Sequence, residues 1–441
     1  MKKVFDQANI PGLLVFYRYS SIPKNHMNKK PAIWRYGFIL LLALLRTASF
    51  AQGLATPVSQ TSVEPFTLKN GDRVVFLGNS LMENDLLYGY LELALTTRWP
   101  DRTVTFRNIG WSGDTVFGDA RSYFTNPPTP YELLMKQITE AQPTVVFVAY
   151  GGIEAQEGEA GLARFNEGLN KLLDKIQELG AKTVLLSPIP SLSTHGSENT
   201  TRRNAELERY ASALATTAAE RGTYFVDIFK PIHELQKKFS LTDNDIHLNE
   251  TGYFHLAMAL ENGLGLPPRQ EVATIDLSKQ NAASSATFKI LKTDPKNAEL
   301  TFTVEERYLP LPLPTEKGAS VNSERVLRIT GLKKGYYTLA ADDEQIVTAS
   351  AKEWADGVPI RQGPSFAQAS QLRTMIVKKN ELFFHQYRPH NRTYILGFRS
   401  YEQGRHAEGL KELGLIVTWL EGQISLHRMP LPHTYRLSRL R

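Results

Sequence analysis

No cysteine occurs among the 441 residues. That excludes disulfides, zinc–thiolate sites and a lipid-modified amino-terminal cysteine. Long apolar runs are missing too. The prominent one, residues 37–45, has nine residues, against the ~20 that a helix needs to cross a bilayer. A surplus of one charge sign is absent as well, although the formal net charge is +6. Residues 1–51 carry eight Lys or Arg and one Asp, so the remainder holds 43 basic and 44 acidic residues. The basicity belongs to the leading segment and gives no reason to expect a nucleic acid partner. No glycine-rich phosphate loop, metal-ligand cluster or coiled-coil heptad is found, so neither cofactor nor metal is expected. What is present is an apolar fraction of 42%, enough for a folded core, in a chain long enough for two or three units.

Residues 1–51 have the build of an export leader. Lys29, Lys30 and Arg35 precede the apolar run, and Ser49-Phe50-Ala51 supplies the small residues that a signal peptidase needs. Starting at Met27 would give a signal of ordinary length, and after processing no membrane span is expected. Residues 52–69 read as a linker. Between 70 and 266, short β-rich runs at 74–77, 104–107, 145–149, 184–187 and 224–228 alternate with amphipathic stretches. The clearest helix pattern carries Leu162, Phe165, Leu169, Leu172, Leu173, Ile176 and Leu179 on one 3.6-residue stripe. Apolar strands alternating with helices predict an α/β fold, a parallel sheet covered on both faces. Residues 271–350 read as a small β-rich unit. Residues 351–441 read as a helical carboxyl-terminal region whose surplus of basic residues fits docking on an acidic body.

Four blocks follow strands and so fall at the carboxyl edge of the expected sheet, where such folds place their chemistry. They are Gly78-Asn79-Ser80, Asn108-Ile109-Gly110-Trp111-Ser112-Gly113, Gly151-Gly152-Ile153-Glu154 and Asp243-Asn244-Asp245-Ile246-His247. Gly78 permits a sharp turn that presents the Ser80 hydroxyl. Gly113 has no side chain to screen its N–H, which suits an oxyanion donor. His247, just before an amphipathic helix, is placed to take the Ser80 proton as general base. Asn79, Gly110, Gly152, Ile153 and Glu154 would line the surrounding pocket. Arg388, Asn391 and Tyr394, between two carboxyl-terminal helices, would contact a sugar at its mouth.

The ordered set resembles the SGNH/GDSL hydrolases over roughly residues 70–266. The resemblance implies a flavodoxin-like three-layer α/β/α domain and hydrolysis of a carboxylic ester through an acyl-Ser80 intermediate. It also implies a small-molecule or polysaccharide ester as substrate, with export favouring acetyl-type esters on carbohydrate. Three positions depart from the family pattern. Asn79 replaces the usual Asp, Ile153 replaces an Asn that completes the oxyanion hole, and Asn244 replaces the Asp that orients the histidine. An amide cannot stabilise an imidazolium as a carboxylate does, so Asp243 or Asp245 is expected to reach His247. A catalytically weakened protein on the same fold, acting as a carbohydrate-binding or scaffold module, is the alternative.

Overall fold

The computed structural model describes residues 65–121, 128–192, 198–269, 272–277, 281–283, 287–294, 299–315, 325–342, 344–388 and 407–440. The leader, residues 1–51, lies outside them. Five strands build the first sheet: β1 (Arg73–Gly78), β2 (Thr105–Asn108), β3 (Val145–Ala149), β4 (Lys182–Leu186) and β5 (Tyr224–Val226). Their order is β2-β1-β3-β4-β5, and every pairing is parallel. This is the flavodoxin-like order, whose crossover direction reverses between β1 and β3 and opens a crevice at their carboxyl ends.

Successive strand residues face opposite layers, and the core divides accordingly. Val74, Phe76, Val145 and Phe147 pack with α3 (Tyr90–Arg98) and α8 (Glu250–Gly263) on one face. Val75, Leu77, Val146 and Val148 pack on the other face with α4 (Pro130–Ala141), α5 (Leu162–Glu178) and α6 (Glu198–Arg221). The expected α5 stripe is buried at Phe165, Leu169, Leu172, Leu173 and Ile176. Two four-residue helices, α1 (Ser80–Glu83) and α2 (Asp85–Tyr88), follow β1, and α7 (Phe229–Leu235) follows β5.

The β-rich unit consists of two further sheets. One runs β13-β10-β6-β7, the other β12-β11-β14-β9-β8. These strands are β6 (Val272–Asp276), β7 (Asn281–Ala283), β8 (Thr287–Asp294), β9 (Glu299–Glu305), β10 (Arg325–Thr330), β11 (Tyr336–Ala341), β12 (Glu344–Ser350), β13 (Val358–Ile360) and β14 (His433–Arg439). They share a core around Ile275, Leu300, Ile329, Leu339 and Leu437, with Trp354 from α9 (Ala351–Asp356) inside it.

Residues 351–441 are therefore not helical throughout. β14 lies between β9 and β11, so the chain end completes a sheet begun more than a hundred residues earlier. Before it, α10 (Pro364–Tyr387) and α11 (Ala407–His427) pair with each other. They also join the α/β layers: Leu372, Ile376 and Ile424 enter one face's core, and Phe383 and Val417 the other's.

Candidate active site

β1 and β3 come together at Gly78. A Cβ there would meet the Ala149 carbonyl oxygen at 2.5 Å. The glycine is needed for close strand approach, rather than for the turn the sequence suggested. Beyond it, Asn79 caps α1: its Oδ1 accepts from Leu81 N–H at 3.1 Å. Ser80 is the first residue of that helix, where a backbone N–H has no intrahelical acceptor.

His247 sits in a loop pinned at both ends. The Thr242–Leu248 bridge closes it, and Asn249 N–H donates to Leu241 O at 2.9 Å. Inside the loop, Asn244 Oδ1 accepts from Ile246 N–H at 3.0 Å and from His247 N–H at 2.8 Å. Its Nδ2 then faces His247 Nδ1 at 3.5 Å. The expectation for the flanking acids is overturned. Asp243 Oδ1 accepts from Asn249 Nδ2 at 3.0 Å, and Asp245, held at φ 61°, is exposed. Neither carboxylate is hydrogen-bonded to the His247 ring. The reason is local. With Oδ1 committed to two backbone N–H groups, Asn244 can offer the ring only its donor end. A donor facing Nδ1 favours the tautomer that leaves Nε2 protonated and unable to accept.

Ser80 and His247 line one cleft of about 260 Å³ at the β1/β3 crevice, together with Asn79, Gly152, Ile153 and Asp245. Ile153, Pro188, Ile189, Leu192 and Leu207 give it an apolar share of its lining. Sequence reading missed the residues after β4, although the two prolines closing that strand marked its end at the same edge. It also missed Arg203 of α6, which lines the cleft and donates from Nη2 to Gly152 O at 2.6 Å. No sequence signal pointed to Arg203. Desolvation lowers its pKa.

The remaining candidates stand beside or beneath the cleft rather than in its lining. Gly110 is a packing glycine, since a Cβ would meet Glu83 N at 2.5 Å. Gly113 has φ 79° in an exposed turn. Glu154 is a buried brace: Oε1 accepts from Val116 N–H at 3.0 Å and Oε2 from Gly151 N–H at 2.8 Å. It ties the loop after the second block to the third block, and burial raises its pKa. Beneath the second block, Asp114 accepts from Arg121 Nε and from Tyr150 OH, both at 2.7 Å. Burial is the main influence raising Asp114's pKa, against which Arg121 works.

Arg388 does not reach the cleft. Its guanidinium lies 3.7 Å from the centre of the Trp111 ring and pairs with Glu83 at 3.3 Å, while Tyr387 OH donates to Gly110 O at 2.8 Å. The end of α10 thus clamps the second block. Asn391 and Tyr394 lie outside the described residues.

Residues 76–254 match the family model of the GDSL-like Lipase/Acylhydrolase family. The match covers the three-layer domain, so the chain is an ester-hydrolysing enzyme with a GDSL-type hydrolase domain, accompanied by a β-rich unit and two long helices. No curated protein matches it in sequence. Among solved structures it is similar to a gut microbial diltiazem-metabolizing enzyme, with 20% identity, a TM-score of 0.63, and coverage of 85% of this chain and 99% of that one. At that identity the likeness shows the fold. An acetylxylan esterase from Geobacillus stearothermophilus aligns over 46% of this hydrolase and 98% of its own length, at 17% identity and a TM-score of 0.38. That score carries no argument.

At the supports of the site, the Ile153 side chain offers no hydrogen-bond donor, and Asn244 presents an amide rather than a carboxylate to His247. No helix among the described residues is long and apolar enough to cross a membrane, and no group of three or more His, Asp or Glu among them could hold a metal ion.

Proposed function

We propose that this chain is an exported serine esterase that removes small, acetyl-sized acyl groups from carbohydrate through an acyl-Ser80 intermediate. The observation that carries the reading is the cleft shared by Ser80 and His247. Ser80 Oγ attacks the ester carbonyl carbon while its proton passes to His247 Nε2, which accepts it in the tautomer that the Asn244 amide disfavours. The tetrahedral intermediate collapses, the bond to the sugar oxygen breaks, and the imidazolium returns the proton to that oxygen. Water then attacks the acyl-Ser80 ester with His247 again as base, releasing the acid.

Size and lining support the substrate class. About 260 Å³ is below the ~300–1,000 Å³ of sites that enclose drug-sized ligands. The apolar share of the lining suits a short acyl group, and Asn84, Gln156 and Arg203 on the cleft suit hydroxyls. The leader with its Ser49-Phe50-Ala51 end supports export.

The amide facing His247 favours a slow catalyst, and it motivates a second reading as a saccharide-binding protein of low activity. A fluorophosphonate probe read by intact mass separates the two. Labelling that disappears in Ser80→Ala, with p-nitrophenyl acetate turned over much faster than the octanoate ester, supports the esterase. Saccharide binding without labelling or turnover supports the binding protein.

A further inference from the structure

We infer that the side-chain amide of Asn79, rather than any group at position 153 or 113, is the side-chain donor that stabilises the oxyanion in this enzyme. The inference rests on the acyl-Ser80 reading. An oxyanion formed at Ser80 in a partly enclosed cleft needs fixed donors, each of which contributes substantially to turnover. Ile153 occupies the cleft but has no donor, and Gly113 does not line it. Asn79 does line it, immediately before Ser80, and is buried to 7% exposure.

The amide's orientation is set by chemistry. Leu81 N–H donates to Oδ1 at 3.1 Å, so the oxygen end is committed and the NH₂ end is the free one. Nδ2 has no acceptor among the described residues. It faces the end of β3: a Cβ built on Gly152 would lie 3.2 Å from it. The glycine thus leaves the amide an unobstructed approach beside the nucleophile. Nδ2 is not among the fully buried polar atoms without a partner, so it opens to the solvent of the cleft, where a negatively charged substrate oxygen can replace water. The donor is this side chain and not the short helix that follows it.

The decisive variant is Asn79→Asp. It keeps an oxygen for Leu81 N–H, and with it the cap, but replaces the donor by an acceptor. Turnover of p-nitrophenyl acetate should fall by about 10²–10³ in kcat, with KM changed less than about threefold and the thermal midpoint retained. Adding Ile153→Asn to that variant returns an amide to the cleft and should recover kcat at least tenfold. Asn79→Ser, which also keeps an oxygen for the cap, should give the same loss if the aspartate disturbs folding.

A variant with wild-type kcat overturns the inference. So does a loss that tracks falling stability in both variants and is not rescued at position 153. An inactive wild type that resists the fluorophosphonate probe would instead sink the hydrolytic reading itself, and with it the inference.

Discussion

In the β-rich unit, the two sheets meet over Ile275, Leu300, Phe302, Ile329, Leu339, Trp354 and Leu437. The buried ion pair there, Arg325 with Glu306 at 2.5 Å, stands at the margin of that core. The α/β layers bury charge instead. Glu261 sits between Arg98 at 2.9 Å and Arg269 at 2.6 Å, Glu92 meets Lys379 at 2.7 Å, and Asp114 meets Arg121 at 2.7 Å. Two of these clusters join elements far apart in sequence: α3 to α8, and α3 to α10. The third holds the loop beside the cleft. A strand pair has its register set by the alternation of its buried side chains and by its turns, constraints that helices packed on a sheet lack. Buried charges that are satisfied in only one arrangement can supply that specification, at a cost in desolvation.

Breaking the Glu92–Lys379 pair tests this most severely. Lys379→Met leaves a carboxylate buried without its counter-charge and should cost about 3–5 kcal/mol, read from chemical denaturation. Adding Glu92→Met should recover most of the loss, because both desolvated charges are then gone. In the β-rich unit, Leu339→Ala should cost about 2–5 kcal/mol and no second truncation should restore it. If the double replacement stays as unstable as the single one, the contrast between the two regions fails.

A buried carboxyl with no ion-pair partner among the described residues sharpens the same comparison. Asp85 is fully buried, its Oδ2 has no hydrogen-bond partner among those residues, and burial lifts its pKa to about 7, with Lys379 opposing the rise. A carboxyl pKa raised on folding contributes stability at pH below its unfolded value, 3.8, that is lost as pH rises through about 7. Asp85→Asn keeps the oxygen that accepts from Leu91 N–H at 3.4 Å. It should be more stable than wild type above pH 7, by up to about 4 kcal/mol, and should lose the advantage towards pH 4. Melting curves across that range check the sign.

The smallest effect concerns rate. Asn244→Asp places an acceptor where the amide now faces His247. Both flanking acids are otherwise engaged or exposed, so kcat for p-nitrophenyl acetate should rise about ten- to a hundredfold, within the ~10⁴ ceiling set by the reverse change in a serine triad. An unchanged kcat would mean that another group, such as Asp245 after a loop rearrangement, already orients the ring.

Much of the scaffold was legible. The five strand candidates fall where β1 to β5 stand, and the α5 stripe is buried as its period required, because both signals are local. Around the site, local signals mislead. Gly78 looked like a turn residue, yet its neighbour Ala149 is 71 positions away and decides its role. Arg388 looked like a sugar contact, yet Trp111 and Glu83 hold it. β14 alternates as a strand should, but seven residues after a long helix gave no indication that β9 and β11 had left a place between them.

The sequence by itself determined the layer architecture and the strand-end position of Ser80, whereas His247 follows α7 rather than a strand. Hydrophobic period sets which face of each element is buried, and the parallel order brings the carboxyl ends to one rim. Only the tertiary structure decided which end of the Asn79 and Asn244 amides faces the chemistry, that Arg203 borders the cleft, and that α10 clamps the second block. An amide reads the same in sequence whichever way it turns. Its direction follows from the backbone N–H groups that claim its oxygen, and those are positioned by the folded chain.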